Sequence, residues 1–207
     1  MFRDRLDAAE RLARRLSHLK GQAPLVLAIP RGAVPMGRLI ADALEGDLDV
    51  VLVRKLGAPG NPEFAIGAVS EDGSVALEET ARRYREEAVT RETERQRALL
   101  EERRRRYTPV RAPIDPKGRI VVVVDDGSAT GATMAAALST LRSRGPQTLI
   151  AAMGAAPPDT VARLETLADE VVCLEMPWNF QAVGQFFADF RQVEDEEVIA
   201  LLGSEHG

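Results

Sequence analysis

Residues 121–133 read Val-Val-Val-Val-Asp-Asp-Gly-Ser-Ala-Thr-Gly-Ala-Thr, and this run constrains the fold more than any other part of the chain. Four β-branched apolar residues in a row predict a strand that is covered on both faces. Two carboxylates follow, then a short loop of small residues and hydroxyls, then a segment rich in Ala and Leu that predicts a helix. A loop at a helix N-terminus presents unpaired N–H groups and the positive end of the helix dipole, which suit a phosphate group.

Strand and helix patterns alternate along most of the chain, after an amphipathic helix predicted over residues 3–20. Such alternation predicts an α/β fold with a mainly parallel five-stranded sheet flanked by helices. Ligands of such sheets bind beyond the carboxyl ends of the strands, where the two carboxylates lie. The predicted strands are Leu25–Ile29, Val50–Val53, Ile120–Val124, Thr148–Met153 and Glu170–Leu174, and the predicted helices are Pro35–Leu44, Gly131–Arg144 and Pro158–Leu167.

Between the second and third of these strands the alternation breaks down. Residues 54–62 are rich in Gly and Pro and predict a loop, and Ala65–Val69 with Ser74–Leu77 predict a β-hairpin. Residues 79–107 predict a long helix with Arg/Glu pairs near i,i+4 spacing. A solvated, salt-bridged helix is the simpler interpretation, and a lid or a dimer arm is the alternative.

Length and composition favour a single domain over residues 1–207, with a core over about 21–175, an inserted helical arm over about 79–107 and a hood over about 176–207. The only cysteine, Cys173, falls in a predicted strand and is interpreted as a packing residue. The two histidines, His18 and His206, fall in a surface helix and the C-terminal tail, which argues against histidine-based catalysis. The chain has no apolar run of membrane-spanning length and a charged N-terminus, so we expect a cytoplasmic protein without membrane partners.

The net charge of −5 is unevenly distributed. Residues 80–107 hold ten Arg and six Glu, a balance of +4, so the rest of the chain carries −9. An acidic protein does not attract nucleic acid through its overall field, although a local basic arm can. Nucleic acid is therefore not favoured as a partner.

The run at residues 121–133 closely resembles the phosphoribosyl pyrophosphate (PRPP) signature of type I phosphoribosyltransferases. The resemblance implies that Asp125 and Asp126 contact the ribose hydroxyls, directly or through Mg²⁺. It also implies that the loop after them holds the 5′-phosphate of PRPP, through Gly127, Ser128, Ala129, Thr130, Gly131, Ala132 and Thr133. An ordinary strand–turn–helix crossover is the alternative interpretation. A P-loop is excluded, because no Lys follows the Gly.

Two basic segments follow other predicted strands. Residues 29–35 resemble the family's pyrophosphate loop, in which Arg31 and Gly32 contact pyrophosphate after a non-proline cis peptide, here Pro30–Arg31. Arg54 and Lys55 match basic residues that several family members direct at pyrophosphate. The resemblance thus assigns catalysis to Asp125, Asp126, Arg31 and Lys55.

The C-terminal segment is unusually aromatic. Five of the nine Trp, Tyr and Phe residues fall between residues 178 and 190. Core packing accounts for some of them, and a wall that stacks on a heterocyclic base is the alternative. The segment resembles the hood of 6-oxopurine phosphoribosyltransferases, which implies that Trp178 or Phe180 stacks on the base and that Asp189 approaches the metal.

The acceptor base is not assigned by these motifs. Enzymes for 6-oxopurines carry an Asp at the position of Ala129 and use a Lys to read the purine oxygen, whereas no Lys follows Lys117 here. The signature is more similar to that of adenine phosphoribosyltransferases, and the whole chain is most similar to predicted bacterial phosphoribosyltransferases whose acceptor is not established.

The resemblance implies Mg²⁺-dependent transfer of a 5-phosphoribosyl group from PRPP to a nitrogenous base, with release of pyrophosphate, by a homodimer. One alternative is a PRPP-binding regulator without turnover that binds nucleic acid through the Arg-rich arm. Another is a nucleotide phosphorylase or hydrolase that uses the same loop.

Overall fold

A computed structural model describes residues 1–204, apart from the side chains of residues 63 and 65. Within that range the strands are β1 (Leu25–Ala28), β2 (Asp47–Val50), β3 (Val53–Ala58), β4 (Asn61–Ser70), β5 (Val75–Leu77), β6 (Ile120–Gly127), β7 (Thr148–Ala155) and β8 (Glu170–Glu175). The α-helices are α1 (Arg5–Arg15), α2 (Val34–Leu44), α3 (Glu86–Tyr107), α4 (Ala132–Arg142), α5 (Pro158–Leu164) and α6 (Asp195–Gly203). Short 3₁₀ helices cover Ser17–Leu19, Glu79–Arg83 and Val183–Phe186.

Five strands form one parallel sheet in the order β2-β1-β6-β7-β8. The expected α/β class and its five-stranded parallel sheet are therefore confirmed. Most of the predicted strands and helices are present, and their ends differ by a few residues. The amphipathic helix expected over residues 3–20 is α1 followed by a 3₁₀ turn.

Strand β6 lies at the centre of this sheet, and its valines at positions 121–124 are fully buried. Val122 and Val124 pack with the apolar faces of α1 and α2 on one side of the sheet. Val121 and Val123 pack with α4 on the other side. Burial of a Val side chain contributes about 1.5–3 kcal/mol, so these valines anchor the end of the strand that carries the two carboxylates.

The second predicted strand, Val50–Val53, is wrong in its position. Strand β2 starts earlier, at Asp47, and ends at Val50, while Val53 begins the separate strand β3. The reason is Asp49, a polar residue that is only 2% exposed. Its carboxylate receives two hydrogen bonds from Arg104 of α3, at 3.0 and 3.2 Å, so that a charge is tolerated within a buried strand.

The loop predicted over residues 54–62 is also wrong, because most of it belongs to a hairpin. Strands β3 and β4 pair antiparallel and turn at Pro59 and Gly60, where Gly60 has φ = 82°. The pairing is irregular around Gly57, where an added Cβ would lie 2.7 Å from the Cα of Pro62. The Gly and Pro residues that indicated a loop thus allow a close approach between two paired strands.

The predicted hairpin of Ala65–Val69 with Ser74–Leu77 is confirmed, since β4 pairs antiparallel with β5, aligning Gly67 with Leu77 and Val69 with Val75. Strands β3, β4 and β5 form a three-stranded sheet. The long helix expected over residues 79–107 is present as a 3₁₀ turn followed by α3. Helix α3 is not solvated on all sides, because one face is buried, through Val89, Gln96, Leu100, Arg104 and Tyr107.

The N-terminus is joined to the aromatic C-terminal segment. Phe2 forms a parallel bridge with Phe187, and its N–H donates to the carbonyl of Phe186 at 2.7 Å. Cys173 is buried in β8, and burial raises the pKa of its thiol to about 11, consistent with a packing role. His206 lies outside the described residues. No helix among residues 1–204 is long and apolar enough to cross a membrane.

Candidate active site

A cavity of about 730 Å³ opens where the carboxyl ends of β1 and β6 meet the start of β3. Its walls come from the central sheet, the β3–β4 hairpin, the first residues of α4 and one face of α3. The polar and charged residues that line it are Asp125, Thr133, Arg54, Lys55, Glu92, Arg95, Gln96 and Arg103. The cavity thus combines the end of the valine-rich strand with the beginning of the helix that follows it.

The loop between β6 and α4 is held in place by a hydrogen bond within the loop and by two hydrogen bonds from α5. The Oγ atom of Ser128 accepts a hydrogen bond from the N–H of Gly131 at 2.8 Å. Thr160 of α5 donates to the carbonyl of Ala129 at 3.0 Å, and Arg163 donates to the carbonyl of Thr130. With its carbonyls engaged by α5, the loop is fixed as a preformed turn.

Gly131 is required at the end of this loop. Its φ is 63°, in the left-handed region, and an added Cβ would lie 2.7 Å from Cγ2 of Thr160. In the described part of the chain, the N–H groups of Ala129, Thr130 and Thr133 have no hydrogen-bond acceptor. Together with the N-terminus of α4, these donors can bind a phosphate group.

The two signature carboxylates have different surroundings. Asp125 lines the cavity, and its Oδ1 accepts the N–H of Asp126 at 2.9 Å. Asp126 is on the opposite face of β6, where its Oδ2 lies 2.8 Å from Nε of Arg5 in α1. Burial raises the pKa of the Asp125 carboxyl well above its ordinary value, and the negative charge of Asp126 raises it further. Burial also raises the pKa of Asp126, against the opposing effect of Arg5.

The loop after β1 contains the cis peptide bond expected at Pro30–Arg31. Pro30 lines the cavity, whereas the side chain of Arg31 lies outside it, with Nη1 3.4 Å from Oε2 of Glu194 beside α6. Gly32 abuts the second signature acid, because a Cβ added there would lie 2.6 Å from Oδ2 of Asp126. The structure thus brings Gly32, and not the Arg31 guanidinium, to the signature.

Arg54 and Lys55 both line the cavity, as the sequence interpretation expected. The guanidinium of Arg54 donates from Nε to Oε1 of Gln96, and Nε2 of Gln96 donates to Oε1 of Glu92 at 2.7 Å. These contacts tie β3 to α3 along the cavity wall.

Helix α3 supplies cavity residues that sequence reasoning did not assign to the site. Glu92, Gln96, Leu100 and Arg103 follow one another at spacings of three or four and so share one helical face, which lines the cavity together with Arg95. The lining holds four basic side chains and two carboxyl groups, so basic groups predominate. The signal was present in the helical spacing, but only the packing of α3 onto the hairpin shows which face is turned inward.

The aromatic residues expected to stack on a base do not line this cavity. Trp178 is 85% exposed, and Phe180 packs against Phe186 with ring centroids 5.1 Å apart. Asp189 is exposed and accepts the N–H of Arg191 at 3.2 Å. The base-binding and metal-binding roles of these three residues stay predictions.

The donor chemistry of the cavity fits Mg²⁺ in part. This ion binds proteins through one or two carboxylates and takes further oxygens from substrate phosphates. Asp125 offers such a carboxylate inside the cavity, whereas Asp126 is engaged by Arg5. Among the described residues no group of three or more His, Cys, Asp or Glu side chains could hold a metal ion without a substrate.

An open parallel sheet with this loop and acid pair at its carboxyl edge defines an α/β protein with a preformed turn at the N-terminus of α4. The model of the phosphoribosyl transferase domain family matches residues 3–186. The chain therefore belongs to this family, and the resemblance inferred from residues 121–133 is confirmed.

Curated relatives carry the same family name. Over 209 residues and 100% of its length, the chain is 44% identical to "Putative phosphoribosyl transferase" proteins of Mycobacterium tuberculosis strains CDC 1551 and H37Rv. The chain spans 47% of the length of these relatives.

Solved structures agree with the fold. The crystal structure of TT1426 from Thermus thermophilus superposes with a TM-score of 0.91 at 50% identity, over 98% of this chain and 97% of that one. A purine phosphoribosyltransferase from Pyrococcus horikoshii superposes with a TM-score of 0.51 at 17% identity, over 92% of this chain and 93% of that one, which is a likeness of fold alone.

Proposed function

We propose that this protein transfers the 5-phosphoribosyl group of PRPP to a nitrogenous base, with release of pyrophosphate and dependence on Mg²⁺. The observation that carries the proposal is the shared cavity of Asp125, Thr133, Arg54 and Lys55. The cavity is lined by a carboxylate for the ribose, a helix N-terminus for the 5′-phosphate and cations for the pyrophosphate. These are the groups that PRPP requires.

Each part of the cavity has a separate task in the proposed reaction. The loop from Ser128 to Thr133, of which Ala132 and Thr133 line the cavity, binds the 5′-phosphate, so that binding energy remote from the reacting carbon holds the ribose in place. Bond cleavage leaves positive charge on C1 of the ribose, which the carboxylate of Asp125 stabilises. Arg54 and Lys55 stabilise the negative charge that develops on the departing pyrophosphate, as fixed charges aligned before the reaction.

Mg²⁺, when bound, would neutralise pyrophosphate oxygens and make pyrophosphate a better leaving group. Asp125 is the residue of this chain best placed to hold it. The acceptor is proposed to be a base other than a 6-oxopurine, because Ala129 has no side-chain acceptor for such a ring.

The test is release of pyrophosphate from PRPP and Mg²⁺ in the presence of individual purine and pyrimidine bases, with nucleotide formation measured in parallel. We expect both products to require one particular base and to be lost in the Asp125→Asn variant. Ribose 5-phosphate formed without a base would indicate a hydrolase. PRPP binding without turnover on any base would indicate a PRPP-binding regulator, and each of these results would contradict transfer.

A further inference from the structure

Arg5, the first residue of α1, contacts the signature from outside the cavity. Its Nε lies 2.8 Å from Oδ2 of Asp126, and the two side chains are only 12% and 14% exposed. No motif in the sequence drew attention to this arginine, because its partner is 121 residues away. A guanidinium and a carboxylate removed from water in this way depend strongly on each other.

The same guanidinium is fixed by the C-terminal segment. Its Nη1 donates to the carbonyl of Arg191 at 2.6 Å, and its Cζ lies 3.9 Å from the ring centroid of Phe190. A planar guanidinium can make these contacts at once, since its donors point in different directions and its face can stack on a ring. Arg5 therefore joins the second signature acid to the hood.

The loop after β1 completes this contact. A Cβ added at Gly32 would lie 3.1 Å from Nη2 of Arg5 and 2.6 Å from Oδ2 of Asp126. Arg5 and Asp126 thus fill the space beneath the loop that begins at the Pro30–Arg31 peptide. Three segments that are distant in sequence meet at one ion pair.

We propose that Arg5 is a positioning residue for PRPP, acting through Asp126 and Gly32. It keeps the end of β6 and the loop after β1 at a fixed separation, so that Asp125 and the phosphate loop face the cavity in a binding geometry. The inference rests on the proposed function. Without Arg5, the buried carboxylate of Asp126 has no cation, and the cost of an unpaired buried charge displaces the strand end from its binding geometry.

The first test compares PRPP affinity, measured by titration calorimetry with Mg²⁺, in wild type, Arg5→Ala and Arg5→Lys. Arg5→Ala is expected to raise the Kd by about 10- to 100-fold, the usual range for losing a hydrogen bond to a charged group. The Kd of Arg5→Lys for PRPP is expected to lie between those of wild type and Arg5→Ala. The reason is that an ammonium group can pair with Asp126 but cannot also contact Phe190 and Arg191. Arg5→Lys also retains the charge if Arg5→Ala does not fold.

The matched control is Arg11→Ala. Arg11 lies on the same helix and pairs with Asp7 at 2.8 Å, but it contacts no part of the signature. This variant is expected to change PRPP affinity by less than about twofold, because the Arg11–Asp7 pair makes no contact with Asp126 or Gly32. A change as large as that of Arg5→Ala would mean that any damage to α1 weakens binding, which would overturn the inference.

A double-mutant cycle separates positioning from general stability. In an Asp126→Asn background, Arg5→Ala is expected to weaken PRPP binding by less than about twofold, because the partner through which Arg5 acts is already absent. An equal loss of PRPP affinity on adding Arg5→Ala to the wild type and to Asp126→Asn would overturn the inference. A lower unfolding temperature of Arg5→Ala with unchanged PRPP affinity would also overturn it. Failure of the wild type itself to bind PRPP would overturn the proposed function, a result that the other arms cannot produce.

Discussion

Asp125 and Asp126 are neighbours on β6, but their carboxylates serve opposite faces of the central sheet. Asp125 lines the cavity with Arg54 and Lys55, whereas Asp126 pairs with Arg5 at 2.8 Å. Alternation of side chains along a strand separates them, as it separates the two pairs of valines that precede them. In the free protein Asp125 therefore faces the cavity, whereas Asp126 is paired with a residue of α1.

The first prediction concerns the stability of Asp125→Asn. Burial raises the pKa of Asp125, so the stability that its protonated form contributes is lost as pH rises through the folded-state pKa. Asparagine resembles the protonated acid and cannot ionise. We expect Asp125→Asn to be more stable than wild type at pH 8, although it binds PRPP poorly, as is common where a site is optimised for function.

Urea denaturation at pH 8 and pH 4 measures this difference. The gain in free energy of unfolding of Asp125→Asn over wild type should be smaller at pH 4, where the wild-type carboxyl is protonated. A variant that is less stable than wild type at pH 8 would show that the charge of Asp125 is already compensated in the free protein.

The second prediction concerns Glu71, which meets Arg104 at 3.3 Å beneath α3. Burial raises the pKa of Glu71 to about 7, because the attraction of Arg104 is shared with Asp49 and does not offset desolvation. The folded-state pKa lies above the ordinary value, so the contribution of Glu71 to the free energy of unfolding is largest at acidic pH and is lost as pH rises through about 7.

Glu71→Gln removes this titration. We expect the free energy of unfolding of the variant to match that of wild type at pH 5 and to exceed it by about 1–3 kcal/mol at pH 8, since a shift of one pKa unit corresponds to about 1.4 kcal/mol. The free energy of unfolding against pH is the measurement. Parallel curves for the two proteins would contradict the assignment of this titration to Glu71.

The third prediction uses two glycines with similar backbone angles. Gly131 and Gly145 have φ of 63° and 69°, but only Gly131 faces a close neighbour, Cγ2 of Thr160. Alanine at either position is expected to cost about 1–2 kcal/mol of stability, since both are left-handed. Only Gly131→Ala should in addition weaken binding of ribose 5-phosphate, by about tenfold, through displacement of the phosphate loop.

Fluorescence or calorimetric titration of ribose 5-phosphate distinguishes these variants. Equal affinity in Gly131→Ala and Gly145→Ala would show that the loop before α4 does not bind the phosphate.

The fourth prediction concerns the inner face of α3. Arg103 lines the cavity, whereas Arg105, two residues later on the same helix, does not. We expect Arg103→Ala to weaken pyrophosphate binding by about 5- to 10-fold at low salt, and Arg105→Ala by less than about twofold. Pyrophosphate inhibition constants at two ionic strengths provide the comparison, and equal effects of both variants would mean that α3 acts only through its overall charge.

The sequence predicted the central sheet because buried parallel strands are almost entirely apolar, as residues 121–124 are. It failed at β2, where the charge of the buried Asp49 is compensated by Arg104, which lies 55 residues later on α3. It failed at Gly57 and Pro62, because residues that usually mark a loop here allow two paired strands to approach closely. The error at Asp49 arises from a tertiary contact that no local pattern contains, whereas the error at Gly57 arises because the same residues suit a loop and a tight hairpin.

The candidate site follows the same division. Residues 125–133 could be located from their order alone, since strand, acids, loop and helix are contiguous. Arg31 was expected at the cavity but pairs with Glu194, and Arg103 lines the cavity without having been assigned to it. Whether a cation on a flanking element turns inward depends on packing between elements, which the sequence does not specify.

The most direct test of the central claim is the affinity for PRPP in the presence of Mg²⁺, measured by titration calorimetry for wild type and for the Asp125→Asn/Asp126→Asn double variant. Thermal unfolding of both proteins establishes that the variant is folded. The account predicts that wild type binds PRPP and that the double variant loses on the order of 100-fold in affinity. Equal PRPP affinity in the two proteins would contradict it.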